Sequence, residues 1–531
     1  IHPEQKTDNR TSASELTASI AGGTSQPSGE IVRRNLIDDY IFGKMEADGV
    51  PHAPMSADED FVRRVHLDLT GRIPDPEAVR TFVASDDVGK REALVDSLIG
   101  SRPFMAKWTY WFGDLARSNG NRIGNDGKNL FYQWVYNALQ INTPYNTMVE
   151  HMLTAQAVSN WYVGPASYLA RWVIIGATCE ETVHEDTSDE IAVNSAMHFL
   201  GLNLQCVSCH DGRNHLEKVN LWLTEQNRTD FWQQAAFFGK TQVLRRTEVS
   251  TARDEYSISD DGPGYSSAGE SVNRVPRRGK EMIEPAFILT GETPDPSKPL
   301  RSEFARMVTS HPQFARATVN LFWAEMMGVG IVDPVFDFDL NRQDPNNPPP
   351  EGWEIQPSHP ELLNALAEDF REHNYDIRRL LRMIATSSAY QLSAKFPGEW
   401  KAAYAKYYAR KFVRRLTAEE REVLKRWIAA GAEYEGHWAY LTVARPEVAG
   451  RDALDELVRQ RLEGEGLEAS GEADRATLIR RVHLDLLGLP PSVADVGAFL
   501  ADARPGAYER MLERALSSPR FGERWGRHWL D

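Results

Sequence analysis

The sequence predicts a mainly α-helical protein, a multi-helical body with a small β insertion around residues 240–300. Three observations carry that prediction. Apolar residues recur at helical spacing over most of the chain, prolines stand where helices begin, and strand-like alternation is confined to one Gly-rich stretch.

Residues 1–30 are rich in Ser, Thr and Gly and lack aromatic residues, which predicts a flexible leader. Leu36, Ile37, Tyr40, Ile41 and Met45 then share one helical face. Amphipathic helices are expected at 59–70, 75–84, 90–100 and 102–117, with Pro74 and Pro103 near their starts. Residues 128–160 read as aromatic-rich helices, since Tyr132 and Tyr136 stand four apart and Phe131 and Trp134 three apart. Thr187-Ser188-Asp189-Glu190 has the form of a capping box opening a helix that closes at Gly201. Thr247–Val249, Tyr256–Ile258 and Phe287–Leu289 alternate as short strands. Helical spacing returns from 302 to 392, broken by a Pro/Asn/Asp-rich loop at 333–357.

An internal repeat organises the chain. At an offset of 417, Arg63-Arg64-Val65-His66-Leu67-Asp68-Leu69 recurs as Arg480-Arg481-Val482-His483-Leu484-Asp485-Leu486. Gly71, Pro74, Phe82, Phe104, Trp108 and Asp114 recur as Gly488, Pro491, Phe499, Phe521, Trp525 and Asp531. Of the 52 positions from 63 to 114, 18 are identical in a register without gaps, so the match is a duplication. The repeated Arg-Arg/Asp pattern reads as ion pairs that pack helix to helix. The expected organisation is a leader (1–30), a first domain (31–240), a β subdomain (241–300), a helical companion (301–417), a linker (418–450) and a truncated repeat of 34–114 (451–531).

Composition removes several function classes. Asp and Glu outnumber Lys and Arg by 76 to 60, a net charge of -16, and a nucleic-acid-binding body carries the opposite sign. No apolar run approaches the roughly 20 residues needed to span a bilayer. The chain starts at Ile1, which reads as a mature product whose export signal is gone. Only Cys179, Cys206 and Cys209 are present, too few for a disulfide framework, so their role is local chemistry.

That chemistry sits at Cys206-Val207-Ser208-Cys209-His210. Two thiols three positions apart on one helical turn can add to the two vinyl groups of a haem, and the next residue then stands beneath the iron as proximal imidazole. A zinc site would recruit Cys206, Cys209, His210 and a fourth group such as His215. A redox dithiol or plain disulfide is the other rival, but no thioredoxin-like strand–helix unit surrounds the motif. For a sixth iron ligand the candidates are His215, Met197, His198, His184, Met282, Met326 and Met327, each of which is equally well a core or surface residue. The acidic run Cys179–Asp186 lacks the second His of a zincin and reads as a helix start favoured by the macrodipole. Asp337-x-Asp339-x-Asn341 opens like an EF-hand loop, yet Arg342 and Pro348 occupy its Gly and Glu positions; a less regular calcium site is the residual reading. No P-loop, nucleophile elbow or dinucleotide fingerprint is present.

The repeat and the C-x-x-C-H together resemble the planctomycete cytochrome C-like domain family (PSCyt) with its companion planctomycete-specific domain (PSD). The resemblance runs over roughly residues 31–417. It rests on Phe61–Pro74, Trp108–Arg117, Phe199–His210 and Phe231–Phe238. For the companion it rests on His311–Arg316, Asn320–Trp323, His359–Leu363 and Ser387–Tyr390. It implies an exported protein with Cys206 and Cys209 as thioether attachment points and His210 as axial ligand. Many relatives read Cys-His-Asp-His, whereas here Asp211 is followed by Gly212. Lys425–Glu433 and His437–Tyr440 resemble a linker that in larger relatives precedes the cytochrome domain, an order that fits a fusion, natural or artificial, near that point.

The leading expectation is therefore a periplasmic or surface-exposed mono-haem c-type protein in electron transfer or haem-dependent oxidoreduction, its redox partner or substrate undetermined. The alternative is a surface-associated polysaccharide-binding or scaffold module, suggested by 14 Trp and 17 Tyr, whose rings stack on sugars. A hydrolase using the 180–190 carboxylates is the weakest reading.

Overall fold

The structure is a computed structural model. It describes residues 29–176, 182–246, 254–269, 271–279, 281–413 and 453–530, together with positions 17, 21, 23 and 24. Cys179, the strand expected at Thr247–Val249 and the 418–450 linker lie outside the described residues, as does most of the 1–30 leader. The chain divides into two units, Ile1–Arg421 and Glu422–Asp531.

The first unit is mainly helical, as its periodicity predicts. Asp58–Thr70 starts with Asp58, Glu59 and Asp60, which favour the positive helix end, and stops at Gly71 in the left-handed region (φ 67). Ser101 caps Arg102–Leu115, with Pro103 in its first turn. These helices bury Phe61, Val65, Leu69, Phe104 and Trp108. The companion helices Leu300–Ser310, Pro312–Met327, Pro360–Glu372 and Ile377–Thr386 close over them, and one continuous core runs through both segments.

The repeated charges are part of that closure. Arg64 donates to the carbonyls of Tyr390 (2.8 Å) and Leu392 (3.0 Å), while Asp68 accepts from the Tyr390 hydroxyl at 2.8 Å. Lys107 pairs with Glu325 at 3.2 Å, and the Trp108 ring lies 5.4 Å from Phe322. The motif does pack segment against segment, but Arg64 does so through backbone carbonyls instead of an ion pair, and Asp68 through the Tyr390 hydroxyl with Lys411 3.9 Å away.

Three expectations need correction. The helix closing at Gly201 runs His184–Leu200 and starts before the presumed capping box. The amide of Thr187 is already bonded to the Val183 carbonyl (2.9 Å), and its buried hydroxyl accepts from Ile174 N (3.0 Å) instead of capping the helix. The 128–160 stretch forms two helices, Asn125–Gln140 and Tyr145–Thr154, parted at Asn142 (φ 54); beyond 154 the chain pairs with a strand instead, Ala157 N donating to Ile258 O at 3.0 Å. Among the described residues the strands form two pairs, Gln242–Arg246 antiparallel with Glu255–Ser259 and the two-residue parallel pair Gly23–Thr24 with Phe396–Pro397. Phe287–Leu289 is not a strand, because the Phe287 carbonyl is spent on the turn amides of Thr290 and Gly291.

The second unit has its own small core of Ile479, Val482, Phe499, Ala507, Met511 and Ala515. Its helix Arg475–Leu487 ends at Gly488 (φ 70) as the first-copy helix ends at Gly71. Burial differs sharply between matched positions: Trp108 is 0% exposed and Trp525 41%. Among the described residues no helix is long and apolar enough to cross a membrane.

That contrast sets a prediction. Trp108→Ala opens a core cavity and is expected to cost the first unit roughly 3–5 kcal/mol, whereas Trp525→Ala costs under about 1 kcal/mol. Urea unfolding followed on both units would check it, and equal losses would contradict the burial pattern.

Candidate functional site

The helix His184–Leu200 delivers the chain to the cysteines. It ends at Gly201 in the left-handed region, and the chain reverses into a turn. Within that turn Ser208 N donates to Leu204 O (3.1 Å), and Cys209 N and His210 N both donate to Cys206 O (3.1 and 3.3 Å). Leu204 and Val207 are fully buried and pin the turn from below. Helical spacing therefore turns Cys206, Cys209 and His210 away from the core; Cys206 is exposed and Cys209 half-buried, and both are free thiols. Partial burial pushes the Cys206 thiol up, helped by the neighbouring Cys209 and Asp337.

His210 donates from Nδ1 to the carbonyl of Asp211 (2.7 Å). That tautomer leaves Nε2 as the lone-pair nitrogen, the arrangement of a metal-ligating imidazole whose other nitrogen is held by a carbonyl. Two reachable thiols on one turn, followed by an imidazole so prepared, fit the donor set that covalent haem requires.

His215 is brought to His210, with ring centres 4.4 Å apart. Imidazoles on opposite sides of a metal at about 2 Å each would hold their centres roughly 6 Å apart, so the two are not placed as trans ligands. The other candidate sixth ligands are held elsewhere. His198 is buried against Tyr168 (3.1 Å), and burial drives it down to about 3, a neutral core histidine. His184 Nε2 lies 2.7 Å from Gly239 O and 3.0 Å from Gly264 O. Met326 and Met327 are core residues, Met197 is half-buried, and Met282 is exposed. At Gly212 a Cβ would meet the Leu223 carbonyl oxygen at 1.8 Å. No side chain fits there as the chain is folded.

Residues that sequence reasoning passed over hold the turn. Ser208, between the cysteines and fully buried, accepts from Arg274 Nε at 3.0 Å and donates to Gln205 O at 2.7 Å. Its carbonyl accepts from Arg228 Nε at 3.3 Å. Arg274 also pairs with Glu190 (3.0 Å), and Arg277 pairs with Asp186 (2.9 Å) and with Asp189. The Tyr265 hydroxyl donates to Asp189 at 2.6 Å. The side chains of Arg274, Arg277, Asp186 and Asp189 are wholly inaccessible. Burial works to raise Asp186, but the amides of Asn273 and Val272 and the Arg277 guanidinium hold it below the usual carboxylate range. At Asp189 burial prevails over Arg277, Arg274 and Tyr265 and pushes the carboxyl up to about 6. In the sequence, Asp186 and Asp189 stood out only as part of the acidic run and the capping-box pattern, and Arg274 and Arg277 showed no signal beyond standing three apart.

Two other expectations resolve. The acidic run before the helix contributes Asp186 to this cluster, a structural use. Asp339 spends its carboxylate on the amides of Leu221 (2.8 Å), Trp222 (3.0 Å) and Asn341 (3.2 Å), and Asp337 accepts from Asn203. Among the described residues no group of three or more His, Cys, Asp or Glu is placed to hold a metal ion.

Two family models match the chain. PSCyt2, described as a protein of unknown function (DUF1549), matches residues 36–243 and 453–531, more than half of the sequence. PSD1, described as a protein of unknown function (DUF1553), matches residues 300–433. Neither a curated protein nor a solved structure matches.

The cluster yields two predictions. Arg277→Leu leaves Asp186 and Asp189 buried without their main counter-charge and is expected to lower the unfolding free energy by roughly 3–5 kcal/mol, read from urea transitions. The folded Asp189 carboxyl binds its proton near pH 6 and the unfolded one near 3.8. Proton uptake there therefore favours the fold: the contribution is complete below about pH 4 and lost as pH rises through about 6. Asp189→Asn should remove that component of the pH–stability curve, and an unchanged curve would contradict the assignment.

Proposed function

The chain belongs to the PSCyt2 family, and from that premise we propose that it is an exported protein carrying one covalent haem c and working in electron transfer or haem-dependent oxidoreduction. The observation that carries the reading is the single turn presenting Cys206, Cys209 and the Nε2 of His210 together. Cys206 and Cys209 would hold the haem as thioethers, each S–H adding across one vinyl group with no net oxidation. Bound haem supplies one-electron exchange. His210 would bind the iron through Nε2, its ring orientation fixed by the Asp211 carbonyl. Arg274 and Arg228 keep the thiol-bearing turn in register through Ser208.

Residues 453–531 match the same family model as residues 36–243 and align with positions up to 114, which lie ahead of Cys206. Export is part of the proposal because haem attachment to cysteine takes place outside the bacterial cytoplasm.

Expression in a host competent for cytochrome maturation tests the reading. The expected product keeps haem stain on a denaturing gel and gives a reduced-minus-oxidised difference spectrum. Cys206→Ser with Cys209→Ser should abolish the stain while the unfolding transition stays within about 1 kcal/mol of the parent, since neither thiol is part of the core. A colourless parent protein from that host would overturn the proposal.

A further inference from the structure

Four of the 14 tryptophans, Trp108, Trp172, Trp222 and Trp323, are buried, and Trp111, Trp134, Trp232 and Trp400 pack against the same core. One surface cleft departs from this pattern. It is open to solvent, is lined by Asp126, Asn129, Leu130, Gln133, Trp161 and Tyr162, and has a volume of about 330 Å³. Asp126, Asn129, Leu130 and Gln133 follow the i, i+3, i+4, i+7 spacing of one face of Asn125–Gln140. The three polar side chains are exposed and make no hydrogen bond to any described residue.

Opposite them, Tyr162 is 80% exposed, while the half-buried Trp161 forms the wall beside it. The turn bearing both rings is fixed on several sides. Fully buried Asn160 donates to Ile123 O (2.9 Å), and its side-chain oxygen accepts from Tyr256 N (2.8 Å). Ser159 Oγ accepts from Trp161 N (3.1 Å). Two glycines allow close approach: a Cβ on Gly124 would come within 2.7 Å of the Trp161 Nε1, and one on Gly164 within 2.8 Å of the Leu130 carbonyl oxygen. An exposed aromatic ring on so constrained a turn is pre-organised to receive a ligand.

We propose that this cleft binds an uncharged pyranoside oligosaccharide, one sugar ring lying on Tyr162 and its hydroxyls bonding to Asn129, Gln133 and Asp126. The aromatic face supplies flat apolar contact for the C–H side of a sugar ring, and the carboxamides supply paired donors and acceptors for vicinal hydroxyls. Asp126 and the net charge of -16 act against sulfated or uronic-acid polymers. The site is separate from the cysteine turn and stands whether or not haem is attached.

Affinity electrophoresis of the full chain tests it, with galactomannan or hydroxyethylcellulose in the gel as neutral probes and alginate as the anionic one. The chain should be retarded by at least one neutral polymer and not by alginate. Tyr162→Ala should weaken retardation roughly tenfold, and Tyr162→Phe should preserve it. Tyr162 is too exposed for its truncation to unfold the protein, and an unchanged urea midpoint would verify this. The Cys206→Ser, Cys209→Ser variant should be retarded like the parent, which separates failure here from failure of the haem reading. Absence of retardation by both neutral polymers, equal retardation by alginate, or an unaffected Tyr162→Ala variant would each overturn the proposal.

Discussion

The buried ion cluster of Asp186, Asp189, Arg274 and Arg277 is the constraint on which the candidate site depends. Four charges without solvent contact carry a large desolvation cost, which is offset only when every partner is in place. The cluster joins a helix beginning at His184 to a loop some ninety residues later, and Arg274 carries the constraint on to Ser208. The cysteine turn thereby inherits its register from a network that shares no residue with it except Ser208. Apolar packing of Leu204 and Val207 fixes its depth, while the arginines fix its rotation.

A second dependence is the shared core. The first-domain helices and the companion helices bury one continuous apolar cluster, so the two segments stabilise each other and do not behave as beads on a string. The charged repeat makes sense in that setting. Arg64 and Asp68 meet backbone and hydroxyl groups around Tyr390, satisfying polar atoms at a seam that would otherwise be dry. In the second unit Asp485 and Trp525 occupy the matching positions and are exposed, so the same residues there lack that burial.

Much of this was legible in the sequence, for identifiable reasons. Helix existence followed from apolar spacing, and ends such as Gly71 and Gly201 followed from the left-handed conformation that glycine tolerates. The thiol turn was legible because C-x-x-C-H is local and its chemistry depends on spacing along one turn. Helix starts were less legible: Thr187 has the composition of a cap, but the helix had already begun at His184. Phe287–Leu289 alternates like a strand yet has no neighbour to pair with, and a strand is defined by its partner. The Arg274–Ser208 link was out of reach because nothing local to either residue specifies contact across 66 positions.

Exposure then separates the two sites in kind. The cysteine turn is held from beneath by Leu204, Val207 and the arginines, and Cys206 is exposed above. The Trp161–Tyr162 turn is likewise held from beneath, but by hydrogen bonds to Asn160 and by glycine-permitted close contacts instead of buried charge. Buried charge ties a turn to a network that responds to protons, as the displaced Asp189 carboxyl implies. Neutral hydrogen bonds impose no such dependence.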